Sequence, residues 1–204
     1  MVAVAAAWAL SACALTEDKV PVDYVSAGGP ETGALAGAAD VAIVLTATDQ
    51  RTVFADRIST KKNGYGMEMA RIVATNDVVE LVRSSLEMEL KALGFRTEAG
   101  GLPIGIELQN FYNNFRQGFW SGDAVGEVAF VLKVRAPGGT LLYSQLYSAT
   151  GIEANIQLAS GENAKAALQK ALTAAIKAAI EDQALRQALL SAGARQPAPA
   201  RRSS

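Results

Sequence analysis

Hydrophobic and polar positions alternate with different periods along this chain, and the periods predict its elements. Val41-Ala42-Ile43-Val44-Leu45-Thr46 is apolar and β-branched, which predicts a buried strand ending at Asp49-Gln50-Arg51. Residues 52–74 are mixed and predict a short strand or two around Gly64-Tyr65-Gly66. Val78, Val82, Leu86, Leu90 and Leu93 then repeat at helical spacing and form one apolar stripe. Asp77 supplies the N-cap with Glu80 as its return partner, Gly94 a left-handed C-cap, and Phe95 packs back on the last turn.

Three extended segments follow. Ile104, Ile106 and Leu108 alternate within Pro103 to Phe115, and Val128, Phe130, Leu132 and Val134 share a face within Val125 to Val134. Leu142 and Leu146 share one face of Leu141 to Ala149, with Tyr143 and Tyr147 on the other. Turns at Gln117 to Gly122 and at Ala136-Pro137-Gly138-Gly139 make these an antiparallel meander. A long Ala-rich helix capped by Ser160 carries Leu168, Leu172, Ala175 and Ala179 along one side and runs to about Gln183. Leu185 to Leu190 extends it or forms a short last helix. The order β-α-β-β-β-α predicts an α+β, two-layer sandwich: a mainly antiparallel sheet with two main helices on one face.

Upstream of these elements, Met1 to Leu15 is uncharged, and its apolar run is shorter than the ~20 residues a membrane-spanning helix needs. A short apolar region followed by small residues is the pattern of a secretory signal. Here the small residues end at the one cysteine, in Leu10-Ser11-Ala12-Cys13, which resembles the bacterial lipobox. The resemblance implies cleavage before Cys13, thioether attachment of a diacyl lipid, and acylation (palmitate) of the new amine. Several acyl chains together give lasting attachment, where one is marginal. Ala14 rather than Asp follows the cysteine, which for such lipoproteins implies sorting to the outer membrane. The first basic residue is Lys19, so the basic region of the signal is expected upstream of Met1. The domain reading is therefore a signal peptide over 1–12, a lipidated Cys13 and flexible tether over 13–40, one α+β periplasmic domain over 41–192, and a disordered tail over 193–204. That tail is rich in Pro and Ala and carries Arg195, Arg201 and Arg202 without an acid.

Composition narrows the chemistry. The chain of 204 residues has no histidine and one cysteine, so it has no imidazole base, no internal disulfide and no cysteine zinc site. A formal net charge of -1 gives no field for nucleic acid. Alanine makes up roughly a fifth of the residues and aromatics 6%, so much of the apolar fraction is small side chains.

The set of features, namely a lipobox, a strand ending in Asp-Gln-Arg, a capped helix ending in Leu93-Gly94-Phe95, a long strand with the Gln117-Gly118 turn, a hairpin and a terminal amphipathic helix, resembles the YajG family of Gram-negative lipoproteins. The matching stretches are Val44 to Thr52, Val79 to Phe95, Ile104 to Gly118 and Val128 to Ser148. Departures are the missing basic signal region, the bulky Phe119-Trp120 after the turn and the Arg-rich tail. The resemblance implies an outer-membrane-anchored, periplasm-facing domain of undefined biochemical role and brings no catalytic residues.

Two groups of residues stand out as candidate sites. Asp49 and Arg51 lie two apart at a strand end and read as a recognition pair or, more simply, a local salt bridge. The stretch from Asn110 to Trp120 concentrates aromatics, amides and an arginine, and Tyr112, Arg116, Phe119 and Trp120 read as partner-binding residues for an envelope protein or a glycan. The opposite reading makes these rings cross-strand packing, with Phe111, Phe115 and Phe119 on one face. No carboxylate pair and no metal-ligand spacing is present, so no cofactor and no enzymatic activity are expected. The function expected is a lipid-anchored binding or structural module of the envelope, the alternative being a transport-accessory lipoprotein docking on a transporter or pore assembly.

Overall fold

The computed structural model describes residues 16–26, 33–63, 65–118 and 121–193. One long strand organises it. β6 (Leu102–Gln117) runs antiparallel to β7 (Gly122–Arg135), which runs antiparallel to β8 (Leu141–Ile156). This is the expected meander. The other edge of β6 is shared. β2 (Ala42–Asp49) lies parallel to its first half, from Ile43 opposite Leu102 to Asp49 opposite Leu108. β3 (Ser59–Lys62) lies parallel to its second half, with Ser59 opposite Asn113. The chain between them stays hydrogen-bonded to β6, Gln50 N–H donating to Leu108 O (2.8 Å) and Asn113 N–H to Ile58 O (2.7 Å). A bulge between Leu108 and Asn110 re-phases β6 at this changeover. β4 (Glu68–Ala74) pairs antiparallel with β3, β1 (Asp18–Val20) pairs parallel with β4, and the two-residue β5 (Arg96–Thr97) pairs with β2.

The helices α1 (Val78–Ala92), α2 (Gly161–Glu181) and α3 (Gln183–Gly193) cover one face of this sheet, so the two-layer α+β sandwich is the architecture found. The apolar stripe of α1 is buried as its spacing predicts. Asp77 accepts from Val79 N–H (2.8 Å) and Glu80 N–H (3.2 Å), but the Glu80 side chain turns away from the cap to Arg83. A nearby guanidinium is a stronger partner for that carboxylate than a neutral amide. At the other end Gly94 (φ 99°) donates to Lys91 O and Phe95 N–H to Leu90 O, which closes the helix in a Schellman motif. The last helix is separate from α2 because Asp182 adopts extended backbone and caps α3 through Ala184 N–H (2.7 Å).

The layers meet at unusually short range. Gly126 and Gly151 are direct cross-strand partners on β7 and β8. A Cβ built at Gly126 would lie 2.6 Å from the Ala167 carbonyl carbon and 2.7 Å from Leu168 N, and one at Gly151 would strike Ala167 O and Ala171 N. The α2 backbone thus rests on bare glycine, and its contact face is Ala164, Ala167, Ala171, Ala175 and Ala179, all buried. The abundance of alanine is the sequence trace of this contact.

The tether expected over 13–40 is shorter than that reading. Asp18–Val20 is an edge strand, and Val20 and Val22 are buried. Asn76 clamps Val22, accepting its N–H (2.9 Å) and donating to its carbonyl (3.0 Å). Ala38 in a short 3₁₀ turn (Ala38–Asp40) is buried as well. Pro21 hides the strand in the sequence, yet it stands just past the end of β1, where its missing N–H leaves no ladder bond unmade.

The glycine contact predicts a graded response. Gly126→Ala and Gly151→Ala should each cost at least about 2 kcal/mol, or roughly 4–8 °C in Tm, because neither backbone can give way. Gly138→Ala, which meets open space, should leave Tm unchanged. Thermal unfolding of the three variants followed by circular dichroism checks this, and equal effects at all three positions would refute the close-contact reading.

Candidate functional site

With the helices on one side, the other face of the sheet carries alternate side chains that meet no helix. Among the described residues these include Thr46 and Thr48 of β2, Gly105, Glu107, Asn110 and Tyr112 of β6, Glu127, Ala129 and Lys133 of β7, and Leu142, Leu146, Ser148, Thr150 and Ile152 of β8. Small residues make two shallow depressions here. One of about 360 Å³ is lined by Asn110, Glu127, Ala129, Ser148 and Thr150, the other of about 220 Å³ by Thr46, Gly105, Glu107 and Lys133. Leu142, Leu146 and Ile152 add an exposed aliphatic row on β8, whose outer edge has no strand partner among the described residues. Such a face and edge are places where another chain can add contacts.

Tyr112 stands on this face but is partly used by the fold. Its ring stacks on Phe54 at 4.3 Å and 18°, and its hydroxyl is 3.1 Å from Thr60 Oγ1. Burial raises its pKa from the ordinary phenol value. Phe54 reaches it with φ 56°, a conformation that costs a non-glycine residue on the order of 1 kcal/mol, and carries the Arg57 guanidinium 5.3 Å from its ring centre. Beside it, Asn114 Oδ1 accepts from Lys62 Nζ (2.7 Å). Arg116 is exposed near the end of β6. Phe119 and Trp120 lie outside the described residues, as do Leu10, Ser11, Ala12 and Cys13. Phe111 and Phe115 share the buried face, with Asn113 between them hydrogen-bonded to Ser59.

Asp49 and Arg51 are brought together as a bidentate pair. Arg51 Nε donates to Oδ1 (2.9 Å) and Nη2 to Oδ2 (2.7 Å), and the Arg51 backbone N–H also reaches Oδ1. Nη2 donates further to Ala55 O (3.1 Å), so the guanidinium, with 6% of its side chain exposed, pins the 50–58 loop to the strand end. The pair borders a cavity of about 360 Å³ that Asp56, Arg57, Asn76 and Asp77 also line. Its acids are spoken for. Arg51 holds Asp49 below the usual carboxylate range, and Arg57 and Arg71 hold Asp56 down likewise, whereas a general acid needs a raised pKa. Asp77 caps α1. Among the described residues no three His, Cys, Asp or Glu side chains gather as a metal-ligand group, and no helix is long and apolar enough to cross a membrane.

One cluster escaped the sequence reading. Tyr143 and Tyr147 hydroxyls are 2.6 Å apart, and both donate to Asp182 Oδ2, at 2.6 and 2.8 Å. Oδ1 of the same carboxylate caps α3. The four-residue spacing of the tyrosines showed that they share a face, but nothing local pointed to Asp182. Burial, and then the Asp182 carboxylate, push Tyr143 up to about 12, and burial, then the Tyr143 hydroxyl and Asp182, push Tyr147 higher still, while the tyrosine hydroxyls lower Asp182. Tyrosine pKa values raised above 10.0 contribute stability that is complete below pH 10 and is lost as pH rises toward 12. A lowered Asp182 contributes above its unfolded value of 3.8 and is lost on acidification. Denaturant midpoints measured across pH should therefore fall from pH 10 upward. Tyr143→Phe with Tyr147→Phe should flatten that alkaline limb, and an unchanged limb would show that the cluster does not control it.

Comparison with known proteins follows the same lines. A family profile described as an uncharacterized lipoprotein matches residues 30–190. No curated protein matches the chain. Among solved structures, a protein from Xanthomonas campestris is 13% identical, with a TM-score of 0.54, over 86% of this chain and 96% of that one. A minor lipoprotein from Acinetobacter baumannii is 5% identical, with a TM-score of 0.44, over 72% of this chain and 94% of that one. The first of these shares the fold.

Proposed function

The chain belongs to a family of uncharacterized lipoproteins of the YajG type, and we propose that it is a lipid-anchored binding module of the bacterial envelope. In this reading Leu10, Ser11 and Ala12 direct cleavage before Cys13, which carries the lipid, and Ala14 sends the protein to the outer membrane, facing the periplasm. The observation that carries the binding role is the sheet face that no helix covers among the described residues. Its exposed row of Leu142, Leu146 and Ile152 suits an apolar surface of another envelope protein. It suits a glycan less, because among the described residues Tyr112 and Phe54 stack on each other rather than offering an open platform. The arginine-held carboxylates at the strand end support binding over catalysis.

Two measurements test this. Cys13→Ser should leave the chain unprocessed or soluble, and normal outer-membrane fractionation of that variant would sink the anchor. A photocrosslinking residue placed at Leu146 or Asn110 should capture one envelope protein in living cells, and the same residue at Met88, exposed on α1, should not. Equal capture from all three positions, or capture of glycan alone, would overturn the sheet-face reading.

A further inference from the structure

The direction in which the chain enters the sheet limits how a lipid on Cys13 can hold the domain. Asp18 lies five residues past Cys13, and five extended residues reach no further than about 17 Å. β1 is parallel to β4, with Asp18 opposite Ile72. Going back along the chain from Asp18 therefore leads beside β4 toward Glu68 and the β3–β4 turn. β3 is parallel to β6, so that turn lies at the same end of the sheet as the β6–β7 connection. Ile156 at the end of β8 pairs with Gly122 at the start of β7, which brings the loop 157–160 to this end too. The start of α2 joins them, Gly161 N–H donating to Asp18 Oδ2 (2.9 Å).

Among the described residues the two most exposed large hydrophobic side chains are at this end, Tyr65 at 90% and Leu158 at 66%, with Met67 at 57% beside them. The β3–β4 turn that presents Tyr65 and Met67 is tightly made. Asn63 Oδ1 accepts from both of their N–H groups at 3.0 Å, and Asn63 N–H donates to Met67 O (3.0 Å). Asn63 thus ties down the backbone of Tyr65 and Met67, which lowers the ordering entropy that these two residues lose on contact. A tyrosine with an apolar body and a polar tip, beside a methionine and a leucine, matches the boundary between headgroups and acyl chains.

We propose that this end of the sheet is a membrane-contact surface, with Tyr65, Met67 and Leu158 seated at the headgroup level of the bilayer that holds the Cys13 lipid. The inference rests on the lipid-anchor reading above. The domain then does not swing on a long leash. Its strands stand away from the bilayer, and the open sheet face and the β8 edge point sideways, where an envelope partner can reach them. Among the described residues at this end, Lys62 and Arg116 stand with Glu68, Asp123 and Glu162, and Lys61 is paired with Asp18, so there is no basic excess, and the contact is apolar rather than electrostatic and does not need anionic lipid.

Mature acylated protein in vesicles tests the proposal. The sulfur of Cys13 is taken by the lipid, so a cysteine introduced by Met67→Cys, Leu158→Cys or Thr140→Cys (in the β7–β8 turn at the far end) labels uniquely with an environment-sensitive fluorophore. Phosphatidylethanolamine vesicles, with and without phosphatidylglycerol, carry nitroxide lipids labelled near the headgroup. Labels at 67 and 158 should be quenched roughly threefold more than at 140 in both vesicle types. Equal quenching at the three positions overturns the proposal, as does a blue shift at 67 and 158 without quenching, which would mean that protein covers this end. The mass of the N-terminal peptide separates the two readings. A chain without acyl groups on Cys13 that fails to float overturns the anchor and this contact together. An acylated, floating chain with unquenched labels overturns the contact alone.

Discussion

The rest of the structure depends on the seating of α2 on Gly126 and Gly151. An α-helix ordinarily stands off a sheet by the length of its side chains. Here two directly opposed glycines remove the side chains on one surface, and alanines keep them minimal on the other. Interiors pack at crystal-like density, so such a contact admits one helix position and little else. From that position follow the connections that α2 makes at both ends. Its first turn holds Asp18 of β1, Lys170 donates to Ile152 O on the free β8 edge (2.8 Å), and Asp182 at its end receives both tyrosine hydroxyls of β8. The edge strand that starts the domain and the edge strand that ends the meander are tied to the same helix.

Placing every helix on one face leaves the other to solvent or to a partner, and the residues there have adapted to this. Their polar groups satisfy one another, Lys133 with Glu107 at 2.6 Å and Lys62 with Asn114, while the aliphatic row on β8 is exposed among the described residues. The Asp49–Arg51 pair shows the opposite logic. Of its two readings in the sequence, a recognition pair or a local salt bridge, the fold shows the salt bridge, and it serves as a clasp, because a bidentate guanidinium holds a loop in register where β6 changes its partner from β2 to β3. A carboxylate held this way gives up the proton-transfer range that catalysis needs.

Local pattern made much of the fold legible. The α1 stripe, its Asp77 cap and its Gly94 terminus were readable because each depends on residues within a few positions of one another. The meander was readable from its period of two and its turns. What escaped depends on distant partners. β1 was hidden by Pro21 and becomes a strand only because β4 lies beside it. Glu80 left the cap for Arg83 through competition between two nearby donors, which spacing does not resolve. Tyr112 had an aromatic neighbour that no motif announced, since Phe54 reaches it from 58 positions upstream through a left-handed bend.

By itself the sequence determined the class of the protein: the α+β order, the lack within these residues of an imidazole base, an internal disulfide and a cysteine zinc site, and the family resemblance that its profile match bears out. Composition and short-range periodicity suffice for these, because they follow from residue identity and from one or two turns of backbone. Only the tertiary structure decided which face stays open, which acids are neutralised by arginine, and that the folded domain begins within five residues of Cys13, at the end of the sheet bearing Tyr65 and Leu158. Those outcomes depend on strand register and helix seating. Both are settled by contacts between residues far apart in the chain, whose energies do not appear until the layers meet.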